Sequence, residues 1–226
     1  MKEDRTKFLY GAAIENFRKA TILLVGLGGV GLYALEALTR AGAHRFILVD
    51  GDTFEESNLN RQLLALPETI GKPKPEVAAA RVKKIHPEAE VFPHNFFITE
   101  ENVKEILNPR PDFIIDAIDD APAKAALAKA ALSENIPIII CAGTARRKDP
   151  TKIKITKLEK TKDCPLAKKV RKLLKYTKGA KKIPTVISEE LPAPVMGGQP
   201  LPSASTVPAV AGLTAASFVI NQLTKI

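Results

Sequence analysis

The sequence predicts an α/β fold: a doubly wound, mostly parallel sheet with a basic C-terminal extension and a final apolar helix. Three observations predict it. Short apolar runs at residues 21–26, 45–49, 112–120 and 136–141 suit strands buried on both faces of a parallel sheet. Stretches rich in alanine and leucine, at residues 30–41 and 121–135, stand between such runs as helices. Gly26-Leu27-Gly28-Gly29-Val30-Gly31 forms a G-x-G-x-x-G pattern where the first strand meets the first helix, which makes the unit Rossmann-like.

The elements follow in order. Residues 1–20 read as an N-terminal arm, with Arg5 in it, and a short helix at 10–19. After the first strand, Gly26 and Gly28 let the backbone turn tightly and approach a phosphate, and Gly31 lets the next helix pack on the strand. Gly42 caps that helix. The second strand ends in Asp50, about 20 residues past the glycines, where a carboxylate hydrogen-bonds ribose hydroxyls. The chain then turns polar, and Ser57 is placed to cap a helical turn presenting Asn58, Asn60, Arg61 and Gln62. Lys74 stands just ahead of a helix at 76–85 that begins with Pro75, well placed to reach a phosphate.

A third strand is expected at 89–92, then a helix from Thr99 to Leu107. The buried strand that follows ends in acids. Asp120 is the natural cap of the next helix, which leaves Asp119 as the chemical candidate. Residues 152–158 alternate as a half-exposed strand with a basic face. Leu166, Val170, Leu173 and Leu174 space an amphipathic basic helix opened by Pro165. Residues 178–182 read as mobile, 185–187 as a last short strand and 191–202 as an irregular loop. Pro208 opens the apolar helix, which runs to about Leu223. The chain thus divides into an arm at 1–20, a nucleotide-binding unit at 21–145 and an extension at 146–226 packed on the same domain.

With 226 residues, 45% of them apolar, the chain can bury one sizeable core. Its longest apolar stretch, 207–220, is shorter than the roughly 20 residues a bilayer requires. With no apolar leader at the start, no integral membrane segment is expected and a cytoplasmic location is. Two cysteines, Cys141 and Cys164, make neither a disulfide framework nor a zinc pair. The net charge of +9 is concentrated: residues 146–182 hold 16 Lys/Arg against 3 Asp/Glu, so the remainder, with 18 against 22, is slightly acidic. A field this localised points to a polyanion, nucleic acid or an anionic surface.

A glycine pattern alone fits NAD enzymes as well as ATP users. Arg61 and Lys74 offer cations where a nicotinamide enzyme needs an apolar slot, and Asp119 offers a hard oxygen ligand for Mg2+. Two cations and a carboxylate suit triphosphate chemistry, in which charge moves onto leaving pyrophosphate. ATP is therefore favoured over NAD.

G-x-G-G-x-G at 26–31, V-D-x-D at 49–52, N-x-N-R-Q at 58–62, G-K-P-K at 71–74 and D-A-I-D at 116–119 resemble the ubiquitin-activating-type adenylating superfamily. Within it the chain resembles the tRNA threonylcarbamoyladenosine dehydratase branch over nearly its whole length. Arg5-Thr6, Pro165-Leu166-Ala167 and the run at 203–213 carry that likeness. The resemblance implies that Gly26, Gly28, Gly29 and Gly31 cradle ATP phosphates, and that Asp50 and Asp52 belong to the nucleotide site. Asn58, Arg61 and Lys74 orient and neutralise the triphosphate, Asp119 binds Mg2+, and Arg5 reaches into the partner's site of a homodimer. It implies adenylation of the threonylcarbamoyladenosine carboxylate in tRNA, then cyclisation to a hydantoin with release of AMP. Cys164 stands where that branch usually has Asp. The alternatives are an adenylyltransferase for a ubiquitin-like sulfur-carrier partner, whose frequent zinc-binding cysteine pairs are absent here, and an NAD-binding oxidoreductase.

Overall fold

The computed structural model describes residues 5–194 and 201–225. The middle of the proline-rich loop expected at 191–202 therefore lies outside the described residues. The apolar runs become β1 (Thr21–Val25), β2 (Arg45–Val49), β3 (Glu90–His94), β4 (Phe113–Asp116) and β5 (Ile138–Cys141). Every residue of β1, β4 and β5 is buried, as strands covered on both faces require. The alternating segment gives β6 (Ile153–Lys157), and β7 (Pro184–Ser188) follows it. One seven-stranded sheet holds them in the order β3-β2-β1-β4-β5-β7-β6, parallel throughout except for β6, which runs antiparallel to β7. Strand order reverses between β1 and β4, so a crevice opens beyond their carboxyl ends.

Helices cover both faces. The helices α1 (Arg5–Tyr10) and α2 (Ile14–Lys19) precede the sheet, and α3 (Gly31–Ala41) and α4 (Lys74–Ile85) follow β1 and β2. The two N-terminal helices replace the single expected one because Gly11 takes φ +62° and a 3-10 turn, Gly11–Ala13, breaks the run. Gly42 caps α3 at φ +112°. The helices α5 (Ala121–Ser133) and α6 (Pro165–Leu173) pack on the opposite face. The last helix, α7 (Thr206–Leu223), lies on α3 so closely that a Cβ at Gly212 would stand 2.2 Å from the Val30 carbonyl oxygen. By length and composition α7 matches a membrane span, yet Val207, Ala211, Ala215, Ala216 and Val219 are wholly buried in the core.

Four local readings are corrected. The stretch from Thr99 forms turns and one 3-10 helix, Glu105–Leu107. The Thr99 hydroxyl does accept from Asn102 N at 3.4 Å, but the prolines at 109 and 111 leave too short a run to propagate a helix. Within residues 178–182, Gly179 at φ +86° opens a 3-10 turn, Ala180–Lys182, in which Ala180 is buried. Of the leucines that spaced the basic helix, Leu173, the last residue of α6, is 47% exposed, while Leu174, just past its end, is buried. Glu55 rather than Ser57 stands at the N-cap of the 3-10 turn Glu56–Asn58, where Asn58 Oδ1 accepts from Glu55 N at 3.3 Å and Asn58 N donates to the Glu55 carbonyl at 2.9 Å.

One ion cluster ties α3 to α4. Arg81 Nε and Nη2 donate to Glu36 at 2.9 and 2.7 Å, and Arg40 Nε donates to the same carboxylate at 2.7 Å. The Arg81 hydrogen bonds, ahead of those from Arg40, hold the Glu36 carboxyl below its ordinary value of 4.5. A carboxyl lowered in the folded state contributes stability that is complete above pH 4.5 and lost as pH falls through the folded value. Glu36→Gln should therefore cost about 1 kcal/mol at neutral pH. Urea melts of parent and variant should converge as the pH falls below 4.5 and through the lowered folded value; a pH-independent gap would contradict the pairing.

Candidate nucleotide site

A cavity of about 610 Å³ opens at the carboxyl ends of the central strands. Gly26, Gly28, Gly29, Asp50, Asp52, Asn58, Arg61, Lys74 and Asp119 all line it. The glycines divide into two jobs. Gly26 turns at φ +89°, and a Cβ there would lie 2.6 Å from the Ala117 carbonyl carbon and oxygen. A Cβ at Gly31, which is not in the cavity wall, would stand 1.9 Å from the Gly26 carbonyl oxygen. These two are needed for close backbone packing. Gly28 faces open space, with nothing nearer to its absent Cβ than Gln62 Nε2 at 3.8 Å. That gap, beside the N-terminus of α3, is the cradle a phosphate would fill.

Asp50 joins the two turns of the site. Its Oδ2 accepts from Leu27 N at 2.6 Å and its Oδ1 from Asp52 N at 2.9 Å. Burial pushes its carboxyl up, while nearby Lys74 and the two N–H donors pull it back. Lys74 opens α4, buried, with Nζ 2.8 Å from Asp52 Oδ2. Asn58 is buried and spends its Oδ1 on Glu55 N at 3.3 Å, so it shapes the loop as well as facing the cavity. Arg61 Nη1 donates to Ser57 O at 2.7 Å and Asn60 Oδ1 at 2.8 Å, which aims the guanidinium while leaving other donors for a ligand. Asp119 is exposed on the wall. Arg5 is not brought to this cavity; it begins α1, in which no residue is buried.

Sequence reasoning missed several lining groups. Phe97, 64% exposed, lies over Gly51. Gln62, which the sequence placed on the polar turn without giving it a role in the site, is buried with Oε1 unpartnered. Leu201, Ser203 and Pro208 reach the site from the far end of the chain, with Asn60 Nδ2 donating to Ser203 O at 3.0 Å. No local pattern announces a contact across 143 residues.

Among the described residues no group of three or more His, Cys, Asp or Glu is placed to hold a metal. A single carboxylate beside a phosphate cradle nevertheless fits Mg2+, which keeps its waters and is held by one or two carboxylates plus substrate phosphates.

The model of the ThiF family matches residues 5–226. The chain belongs to the ThiF family. Among its relatives is the tRNA threonylcarbamoyladenosine dehydratase of Bacillus subtilis, 36% identical over 94% of this chain and 90% of that protein. Crystal structures of the Escherichia coli tRNA N6-threonylcarbamoyladenosine dehydratase superpose with TM-scores of 0.91 for its AMP complex and 0.89 for its ATP complex. Each is 36% identical and covers 97% of this chain and 92% of the other. The sulfur carrier protein adenylyltransferase of Thermus thermophilus is also 36% identical, but over 55% of this chain. In this ThiF-family chain neither cysteine is set up as a nucleophile. Cys141 is buried, which pushes its thiol up to about 12. Cys164 is buried as well, its Sγ accepting from Ala167 N at the start of α6. Both features weigh against a thioester with a carrier protein.

Proposed function

We propose that this chain is an ATP-dependent tRNA-modifying dehydratase, acting on threonylcarbamoyladenosine in tRNA. The observation that carries the reading is the convergence of Arg61, Lys74 and Asp119 on one cavity above an open glycine cradle. Gly28 and Gly29 bind the phosphates and Asp50 the ribose. A substrate carboxylate oxygen attacks the α-phosphorus, and the bond from that phosphorus to the bridging oxygen breaks, releasing pyrophosphate. Arg61 and Lys74 neutralise the charge that develops on the leaving group. Bound at Asp119, Mg2+ would supply further charge neutralisation at the phosphates. A carbamoyl nitrogen then attacks the acyl carbon, gives up its proton, closes the hydantoin ring and expels AMP. Tethering makes this closure fast. Pyrophosphate release from ATP should depend on tRNA that carries the threonylcarbamoyl group; release that needs only a carrier protein would contradict the reading.

The tRNA would lie on the basic surface around α6. Lys168, Lys169 and Lys172 are exposed there. Arg171 is already committed, its Nη1 donating to the Thr161 carbonyl and hydroxyl. Lys154 on β6 likewise pairs with Glu189. Replacing the three free lysines with alanine should flatten the slope of log affinity against log salt by about one unit per lost contact. ATP affinity should hold; an unchanged tRNA slope would make the lysines a solvated face.

This reading extends to a homodimer. The helix α1 shows Phe8 and Leu9 at 79% and 77% exposure, an apolar pair without cover in the monomer. Arg5 on the same helix would then serve the partner's site. Mixing Arg5→Ala with Asp119→Ala should restore one competent site per heterodimer, whereas singly dead mutants that stay dead after subunit exchange would refute trans action. Such an enzyme works in the cytoplasm, where its tRNA substrate is.

A further inference from the structure

Beneath the cavity lies an ion pair that no step above uses. Asp116 closes β4 and Lys124 sits in α5; both side chains have 0% exposure. Lys124 Nζ donates to Asp116 Oδ1 at 2.8 Å and to the Asp116 carbonyl at 3.2 Å. The same Oδ1 accepts from Ile118 N at 3.1 Å, while Oδ2 is left without a partner. A buried pair of this kind is poor at stabilising a fold, because desolvation offsets the attraction and an apolar pair of similar volume does as well.

Its placement suggests another use. The residues between the pair are the turn that carries Asp119. One end of that turn is fixed by Asp116 Oδ1 on Ile118 N, the other by Asp120 Oδ2 on Ala123 N at 2.9 Å. The middle is pressed by the glycine loop, since the absent Cβ of Gly26 would lie 2.6 Å from the Ala117 carbonyl and 2.9 Å from Ile118 N. Lys124 therefore grips, from inside the core, the Asp116 carbonyl and carboxylate, one peptide before the Ala117–Ile118 peptide that the glycine loop presses and three residues before Asp119.

We propose that the buried Lys124–Asp116 pair is a positioning device that holds the Asp119 turn against the glycine loop, setting the carboxylate for the metal–triphosphate. The proposal rests on the nucleotide reading above. Lys124 touches no substrate; it acts through Asp116 and the turn.

Lys124→Met alone would leave a buried unpaired carboxylate and endanger the fold, so the test replaces both partners. Lys124→Met/Asp116→Leu removes the charges and the hydrogen bonds. Lys124→Gln/Asp116→Asn removes the charges but keeps a donor to residue 116 and an acceptor for Ile118 N. Calorimetry measures ATP affinity with and without Mg2+ for parent, both pairs and Asp119→Asn. In the apolar pair, with melting close to the parent, ATP alone should bind as in the parent while the gain from Mg2+ falls about 10-fold or more, as supporting residues behind a metal ligand typically show. The amide pair should retain that gain. An apolar pair that keeps the parent's gain from Mg2+ overturns the proposal, as does an equal loss in both pairs. A parent that shows no gain, or a gain that Asp119→Asn leaves intact, instead overturns the reading on which the proposal rests.

Discussion

Replacing Asp119, Arg61 or Lys74 with alanine lowers AMP release by about 100-fold or more, the usual cost of removing one group that acts on developing charge. The three positions separate catalysis from folding. Asp119 is exposed and its loss opens no core. Arg61 makes its two hydrogen bonds within its own loop, to Ser57 O and Asn60 Oδ1. Lys74 is the demanding case, because its buried ammonium pairs with Asp52, yet Asp52 is 54% exposed and stays solvated when the lysine goes. Melting temperatures should stay near the parent's while turnover collapses. Near-parental turnover in all three would remove the cavity from the chemistry.

Gly31→Ala should abolish the fold's nucleotide loop, whereas Gly28→Ala should leave the fold and abolish nucleotide binding. At Gly31 the new Cβ would stand 1.9 Å from the Gly26 carbonyl oxygen, and the atom that must yield is backbone at the end of the central strand. Overpacking of this kind costs about 1–3 kcal/mol or more. At Gly28 the nearest atom, Gln62 Nε2 at 3.8 Å, is ordinary contact, so the methyl group is accepted and projects into the phosphate cradle. Thermal melts and ATP titrations on the two variants read the difference. Equal ATP affinity in Gly28→Ala and parent would place the phosphates elsewhere.

Most of the scaffold was legible because its signals are local. Residues 22–25 and 138–141 are apolar without interruption and bounded by turn residues, which suits a strand covered on both faces. Asp120 was readable as a cap, and its Oδ2 does accept from Ala123 N. That elimination left Asp119 for the cavity. The stretch after Thr99 misled because a genuine cap residue was followed by too few helical residues before the prolines. Leu173 and Leu174 misled because two adjacent leucines cannot share one helix face, and spacing does not say which is covered. Ser203 and Pro208 were illegible for another reason: their approach to Asn60 depends on how α7 packs on α3, a contact that exists only once the chain has folded. Lys124 gave no signal at all, since a lysine in a helix reads as surface until its burial is seen.

The central claim is that the cavity activates the carboxylate of a modified adenosine in tRNA so that it cyclises. Mass analysis of nucleosides from tRNA incubated with the protein, ATP and Mg2+ tests it most directly. The account predicts that threonylcarbamoyladenosine is replaced by a nucleoside lighter by one water, with one AMP formed per nucleoside converted and no conversion by Asp119→Ala. Nucleosides unchanged in mass, while the same protein consumes ATP with a carrier protein, would contradict it.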